Sequence, residues 1–440
     1  MHHFLNRWFG LETHNTTVRR EVLGGVTTFA AMAYIIVVNP AILEQAGIDR
    51  QASTVTTILT ACFGTLLMGL YANRPIAVAP YMGENAFIAY SLTFATWQLR
   101  LGTVFVAGVL FLLLTLAGAR TWLARAISPS LKHSFAVGIG FFLILVGMVN
   151  IGLVQHNAPG PPLKIGDLHD GKILLALAGF LILAVLMLWD VRGAILIGIV
   201  ATAVLGYCVG LGREPDAVVA WPWDHGLEKI AFKLEIGGVF EWAFLPFLIT
   251  LCLVSFLDTL GTLVGVGAAG NMLDDKGNFP EMEKPMLVDS LSCIFGAVVG
   301  TSTSGAFIES AAGIRAGART GLAAVVTALL FAAALFFIPL FDVLQNDQLS
   351  YAVWPALIMV GMLMVGAFQK IDTNDWTELV PALTTITMMV FTYNIANGLT
   401  AGLVVYPLLK FAAGRWREVH PAMAILSVLS GVYLVLGKVH

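Results

Sequence analysis

Apolar residues in this chain come in runs of about 17 to 24. A run of that length is what a helix needs to cross ~30 Å of hydrocarbon at ~1.5 Å per residue. More than a dozen such runs follow one another, so the chain reads as an all-α polytopic membrane protein. Composition agrees: 12% of the 440 residues are charged and 58% are apolar, whereas a soluble domain carries about 25% charged residues. The formal net charge of −3 offers no basic face for nucleic acid. The expected partner is the lipid bilayer.

The spans are expected near 22–44, 52–71, 80–97, 101–117, 131–152, 172–189 and 192–211, then 242–266, 285–300, 304–317, 320–341 and 352–369. The region 376–413 reads as two spans broken around Asn394 to Gly398, and a last apolar run covers 421–438. The total is fourteen or fifteen. Arg7, Arg19 and Arg20 precede the first span, which puts the N-terminus in the cytoplasm. Arg120, Arg125 and Lys132, then Arg315 and Arg319, then Arg415 and Arg417 flank turns expected on that same side. The turn at 342–350 carries Asp342 and Asp347 and no Lys or Arg, and is expected outside. The Pro- and Gly-rich loop 153–171 reads as an external crossing. The aromatic stretch 221–241 reads either as an interfacial segment or as a plain folded loop. The four cysteines, Cys62, Cys208, Cys252 and Cys293, are scattered with no ligand spacing. They read as small hydrophobes, with no metal and no cofactor implied.

Internal symmetry says more than any single run. Glu84-Asn85-Ala86-Phe87-Ile88 lines up with Ser304-Gly305-Ala306-Phe307-Ile308 at an offset of 220 (306 − 86), half the chain, and the first span then falls on the eighth. Seven spans per half, an odd number, turns the second copy upside down, a construction of secondary transporters. Both matching segments begin badly as helices. Pro80 removes a donor and pushes Ala79 out of the α region. Gly300-Thr301-Ser302-Thr303-Ser304-Gly305 is rich in hydroxyls and β-branches. A short strand leading into a half-helix of about three turns is expected in each, in spans 3 and 10. Non-helical backbone at that depth persists only against protein or a water-filled cavity, which makes the place a binding site.

Few carboxylates lie inside spans: Glu84, Asp258 and Glu309, with Asp289 nearer an end, where it is expected to reach water. An acid at the bilayer centre costs ~2.5–3.5 kcal/mol on insertion scales, so each is a functional candidate. The alternative is a structural cap. Burial disfavours a charged carboxylate, so one of these acids can take up and release protons. No histidine lies deep in a span, so proton coupling falls to Asp258, Glu309 and Glu84. Two acids, Asn85 and hydroxyls suit a flat heterocycle with N–H donors, since a carboxylate accepts two parallel N–H bonds and an amide complements an N–H/C=O edge. Phe29, Tyr81, Phe87 and Phe307 offer faces for stacking. Chemistry alone reaches a small, polar, planar or cationic solute.

Several motifs resemble the nucleobase-cation symporter-2 family, in its adenine/guanine/hypoxanthine branch. They are Thr27-Thr28-Phe29-Ala30-Ala31-Met32-Ala33-Tyr34 with Val38-Asn39-Pro40, Met82-Gly83-Glu84-Asn85-Ala86-Phe87, and Asp258-Thr259-Leu260-Gly261-Thr262. Gly300-Thr301-Ser302-Thr303, Ile308-Glu309-Ser310-Ala311, Gly317-Ala318-Arg319-Thr320-Gly321 and the loop Gly270 to Pro280 complete the set. The resemblance implies about fourteen transmembrane segments in two inverted seven-span repeats, with uracil-permease-like core and gate domains. The core would take 22–117 and 242–341, the gate 131–211 and 352–438. It also implies proton-coupled uptake of a purine base by alternating access in the plasma or inner membrane, and a homodimer through the gate. Matched motifs make Asn85, Asp258 and Glu309 substrate contacts, with Glu84, Phe87, Thr28 and Ser304 completing the set.

This chain departs from the branch at Tyr81 and Glu84, where Gly-Met-Gly-Leu-Asn-Ala is usual. The extra acid points toward a more donor-rich or cationic heterocycle. The alternative is therefore another solute on the same fold: uracil, xanthine or a cationic heterocycle. An inorganic anion is disfavoured by the pocket acids. A channel would show rings of charge or carbonyl-lining segments, and an enzyme a nucleophile or metal motif. HExxH, GxSxG and a P-loop are all missing from the sequence.

Overall fold

A computed structural model describes residues 2–118, 126–156, 163–211, 217–241, 244–270, 272–273, 279–345 and 350–436. Arg120, Arg125, Asp347, the middle of the 153–171 crossing and residues 274–278 of the 270–280 loop lie outside these.

After a short helix α1 (His2–Phe9), the first half begins with α2 (Val18–Met32) and α3 (Ile35–Glu44), one crossing interrupted at Ala33 and Tyr34. It continues through α4 (Arg50–Leu70), strand β1 (Val78–Pro80), α5 (Met82–Ala86) with a π-helical turn over Phe87–Ser91, and α6 (Trp97–Leu116). Then come α7 (Pro129–Ile151), the hairpin β2 (Val154–His156) and β3 (Leu163–Ile165), α8 (Gly171–Leu188) and α9 (Ala194–Cys208).

The second half repeats this order. It runs α10 (Leu245–Ala269), α11 (Glu283–Val299), strand β4 (Ser304–Ala306), α12 (Ser310–Arg315), α13 (Gly321–Ala334) with α14 (Ile338–Gln345), α15 (Ser350–Val365), α16 (Trp376–Phe391) and α17 (Ile395–Ala412). The final α18 (Pro421–Leu436) packs along α17, as a fifteenth apolar segment outside the two sets of seven. Among the described residues nine helices are long and apolar enough to cross a membrane, and the shorter α9, α16 and α18 are also apolar.

The helix starts have local causes. Ser128 accepts from the Leu131 amide, and Pro129 occupies the first helical position, where its missing N–H costs nothing. The break expected around Asn394 is there. Its side chain accepts from the amides of Ala396 and Asn397 and starts α17. The stretch 221–241 is a folded loop of short 3₁₀ turns tied down by backbone bonds from Phe232 to Val298 and from Glu235 to Gln98.

The helices segregate by packing. α2, α4, α6, α11 and α13 pack on one another, and α7, α8, α9, α15, α16 and α17 form a second group. The second group buries Lys410, whose ammonium lies 2.9 Å from both Glu378 and Glu418. An ammonium in such a place persists only when paired.

At the centre β1 and β4 pair antiparallel, Val78 opposite Ala306, Ala79 opposite Gly305 and Pro80 opposite Ser304. All six residues are fully buried. This is the crossing expected of spans 3 and 10, with three differences. The triplet Ala-Phe-Ile that suggested the repeat falls on unlike elements: Ala86 ends α5, whereas Ala306 ends β4. The structural repeat matches Pro80 with Ala306, an offset of 226 (306 − 80), because the second strand lies further along than its hydroxyl-rich sequence suggests. The second half-helix is only six residues long, so Glu309 stands at its N-cap rather than one turn inside. Gly300, at φ +104°, ends α11 and turns the chain into the extended run, a conformation that costs a side-chain-bearing residue dearly.

Two short strands leave many backbone groups without a partner, and no water reaches them from lipid. Side chains take that role. Thr65 of α4 bonds both the amide and the carbonyl of Val78, at 2.9 Å each. Ala77 donates to Ser310 Oγ at 3.0 Å, and Ala306 donates to Asp289 Oδ2 at 2.9 Å. The Cys293 thiol donates to the Ser304 carbonyl at 2.9 Å and accepts from its amide at 3.3 Å. Cys293 is therefore a polar partner of the strand rather than a plain hydrophobe. Cys208 is exposed. Asp289 does not reach water: it is fully buried six residues into α11, and caps the strand.

Candidate functional site

The strand crossing gathers side chains from both halves. Tyr81 follows β1 directly, and Glu84 lies in the first turn of α5. α10 passes alongside, carrying Ser255, Asp258 and Thr259, and α11 supplies Asp289. Phe307 and Glu309 follow β4.

Two chains of hydrogen bonds organise these groups. Ser255 donates to Glu84 Oε2 at 3.0 Å. Thr259 donates to Asp289 Oδ2 at 2.9 Å and lies 3.3 Å from the Tyr81 hydroxyl. Tyr81 is within electrostatic reach of Asp289, Glu84 and Asp258, and Glu84 is within reach of Asp258. Two buried oxygens here make no hydrogen bond among the described residues, Asp289 Oδ1 and Ser304 Oγ, and the Thr303 hydroxyl lies within reach of Glu84. Buried polar atoms are normally satisfied, so an open acceptor and an open hydroxyl mark a place prepared for something polar. Asp258 and Glu309 are half-buried, whereas Glu84 and Asp289 are wholly enclosed. The Tyr81 and Phe307 rings lie parallel, within 7°, with centroids 6.1 Å apart.

Glu309 stands apart from the other acids. Its Oε1 accepts from the Tyr34 hydroxyl at 2.5 Å, across 275 residues of sequence. Tyr34 occupies the interruption between α2 and α3, where the backbone keeps right-handed helical angles but its bonds tighten to three-residue turns, Ile36 to Ala33 and Val37 to Tyr34. That residue was legible as part of a motif but not as a member of the site.

Asn85 sits in a different network. It is fully buried, its amide donates to Asn39 Oδ1, and its carbonyl accepts from Ser302 Oγ. Asn39 in turn donates to Thr57 Oγ1 at 2.7 Å and Thr301 Oγ1 at 3.1 Å. Both ends of the Asn85 amide are thus engaged in binding the first crossing to both halves. Of the other candidates, Ser304 lies in β4 opposite Pro80. Thr28 packs its hydroxyl against Gly313 of α12. Phe87, on the π turn, faces Phe247 with centroids 6.0 Å apart. The structure brings Glu84, Asp258 and Ser304 to the crossing, and leaves Thr28 and Phe87 to its sides.

Comparison with known proteins adds to this geometry. The model of a family described as "Permease family" matches residues 19–400. The adenine permease AdeP of Escherichia coli strain K12 is 38% identical over 439 residues, spanning 99% of this chain and 97% of that one. The guanine/hypoxanthine permease PbuO of Bacillus subtilis strain 168 is also 38% identical, over 97% of this chain and 100% of its own. Among solved structures, the transmembrane domain of a cyanobacterial bicarbonate transporter, BicA, superposes with a TM-score of 0.60 over 87% of this chain and 97% of that one. Their sequence identity is 14%, a likeness of fold alone.

Proposed function

The chain belongs to this permease family, and from that premise we propose that it carries purine nucleobases across the cell membrane together with protons. The observation that carries the reading is the strand crossing between the two halves, with Glu84 and Asp258 on one side of it and the half-buried Glu309 just past β4 on the other. Relatives named for adenine and for guanine/hypoxanthine stand at equal identity. The class is therefore better supported than the choice of base.

In this reading Glu309 accepts the N–H edge of the base, which displaces the Tyr34 hydroxyl from Oε1. Each N–H to carboxylate bond contributes ~1.5–3 kcal/mol. The parallel faces of Tyr81 and Phe307 favour a planar ligand. Glu84 and Asp258, two acids within electrostatic reach of each other, are suited to take up and release one proton. Asn85, with its amide committed on both sides, holds the crossing beside the base. The two packing groups would be core (22–117 and 242–341) and gate (131–211 and 352–438), moving against each other for alternating access. Arg20 and Arg319 line the same pocket, so the positively charged ends of both halves share one face. That supports a cytoplasmic N-terminus.

Uptake of labelled hypoxanthine, adenine and guanine into proteoliposomes should rise when the outside is made more acidic than the lumen. A correctly inserted protein that takes up no purine under that gradient would overturn the purine reading and favour another heterocycle on the same fold. Glu84→Leu should reorder the competing bases, shifting the best competitor's half-inhibitory concentration by about tenfold or more, in line with one charged hydrogen bond. An unchanged competition profile would show that Glu84 does not select the substrate.

A further inference from the structure

The motif Gly317-Ala318-Arg319 makes no contact with the strand crossing, yet its arginine closes one of the two half-helices that build the site. A helix leaves its last carbonyls without intrahelical partners, and lipid supplies no water to satisfy them. In α12 Arg319 takes that role. Its Nη1 donates to the carbonyls of Ile314 and Ala318 at 2.7 Å each. Gly317, at φ +116°, turns the chain back so that the guanidinium can reach them. Glu21 of α2 fixes the turn by accepting from the amides of Arg319 and Thr320, at 2.9 and 3.2 Å.

The first half does the same with a residue from a helix. Arg100, in the first turn of α6, donates from Nη1 to the carbonyls of Ile88 and Ala89, at 3.3 and 3.1 Å, where the π turn after α5 runs out. Its Nε donates to the Ala95 carbonyl at 3.0 Å. Arg100 is buried and makes no ion pair among the described residues. A buried guanidinium is costly unless its donors are engaged, and here carbonyls engage them. The two arginines do not correspond by position. Arg100 lies 20 residues past β1 (100 − 80) and Arg319 lies 13 past β4 (319 − 306). Shifted by the structural offset of 226, Arg100 would fall on Val326. The halves share the role and not the register.

The near ends of the same half-helices carry acids. Glu84 lies in the first turn of α5, and Glu309 stands at the start of α12. Glu309 and the Ile314 carbonyl are five residues apart (314 − 309), ~7.5 Å at ~1.5 Å per residue. A helix that short moves as a rod, so a tilt at its far end carries the acid with it.

We propose that Arg100 and Arg319 are positioning residues of the substrate site, each pinning the far end of one half-helix and thereby fixing where Glu84 or Glu309 stands at the crossing, on the reading of those acids as ligand-facing. A cation at a helix C-terminus also complements the dipole, so lysine should serve in part where glutamine does not.

The test uses the full chain in nanodiscs of neutral phosphatidylcholine. Amide hydrogen exchange is read by mass spectrometry over 82–92 and 309–318, and hypoxanthine affinity by calorimetry. Arg319→Gln should speed exchange over 309–318 about tenfold or more and weaken hypoxanthine binding by a similar factor, the size of one lost charge-assisted hydrogen bond. Arg100→Gln should do the same over 82–92. Each should leave the other half-helix within about twofold, and Arg319→Lys and Arg100→Lys should recover most of both losses. Arg319 is the less buried of the two, and its variants decide the matter if Arg100→Gln does not fold. Exchange that stays put or rises evenly through the chain overturns the proposal. So do lysine variants no better than glutamine, or an affinity that holds while the half-helix loosens, since these assign the arginines to stability alone. A wild-type chain that binds no purine sinks the purine reading by itself, and the exchange pattern with its rescue by lysine then decides the role of the arginines.

Discussion

Purine uptake by the Glu309→Gln variant should fall to background, a loss of about 100-fold or more, while the protein still reaches the membrane in normal amount. The two halves of that expectation have separate causes. Glutamine keeps the length of the side chain and one acceptor, so the Tyr34 hydroxyl retains a partner, and α12, which takes no capping bond from this side chain, starts as before. It loses the second acceptor and the charge, and it turns two N–H donors toward the donors of the base. Replacing one charge-assisted bond by a donor facing a donor costs about 3 kcal/mol, which is the 100-fold. The measurement is initial uptake rate against surface abundance. Normal uptake would remove Glu309 from the site and shift the binding role to Asp258 and Glu84.

Asn85→Ala should lower the apparent melting temperature by several degrees, corresponding to about 2 kcal/mol or more, and uptake should fall with it. Removing the amide leaves Asn39 Oδ1 and Ser302 Oγ without partners in a fully buried place, and each orphaned group costs about 1–3 kcal/mol. The hydroxyls of Thr57 and Thr301 are already bonded to the other side of Asn39. A ligand contact alone would weaken apparent affinity and leave the melting temperature of the empty protein where it was. That outcome would move Asn85 from the frame of the site to its lining.

Much of this arrangement is legible in the sequence, for physical reasons. Apolar length declares a span, Pro80 and Gly300 declare backbone that cannot continue a helix, and a carboxylate between apolar residues declares itself by its cost. What escapes is whatever depends on a distant partner. Nothing near Tyr34 says that the first crossing breaks there, since neither proline nor glycine stands at Ala33 or Tyr34. Nor does anything local say that the Tyr34 hydroxyl is taken by Glu309, 275 residues on. Asp289 and Cys293 read as an end-of-span acid and a small hydrophobe because their strand partner is not local. The offset of 220 came from a three-residue identity, and such a match cannot weigh strand against helix. The span order that the same offset suggested was right because it rests on many residues.

The pairing of β1 with β4 also bears on how the chain is made. Val78–Pro80 leaves the ribosome 226 residues ahead of its partner strand, about 11 to 45 s at ordinary elongation rates. Through that interval the first half sits in the bilayer with an open strand edge at midplane depth, its amides covered only where Thr65 can reach. Lateral release of the early helices into lipid would expose that edge. The nascent half must therefore stay sheltered, by the insertion machinery or by a temporary non-native pairing, until Ser304–Ala306 arrives. A chain truncated anywhere before β4 should be recognised as unfinished for the same reason, however apolar its helices.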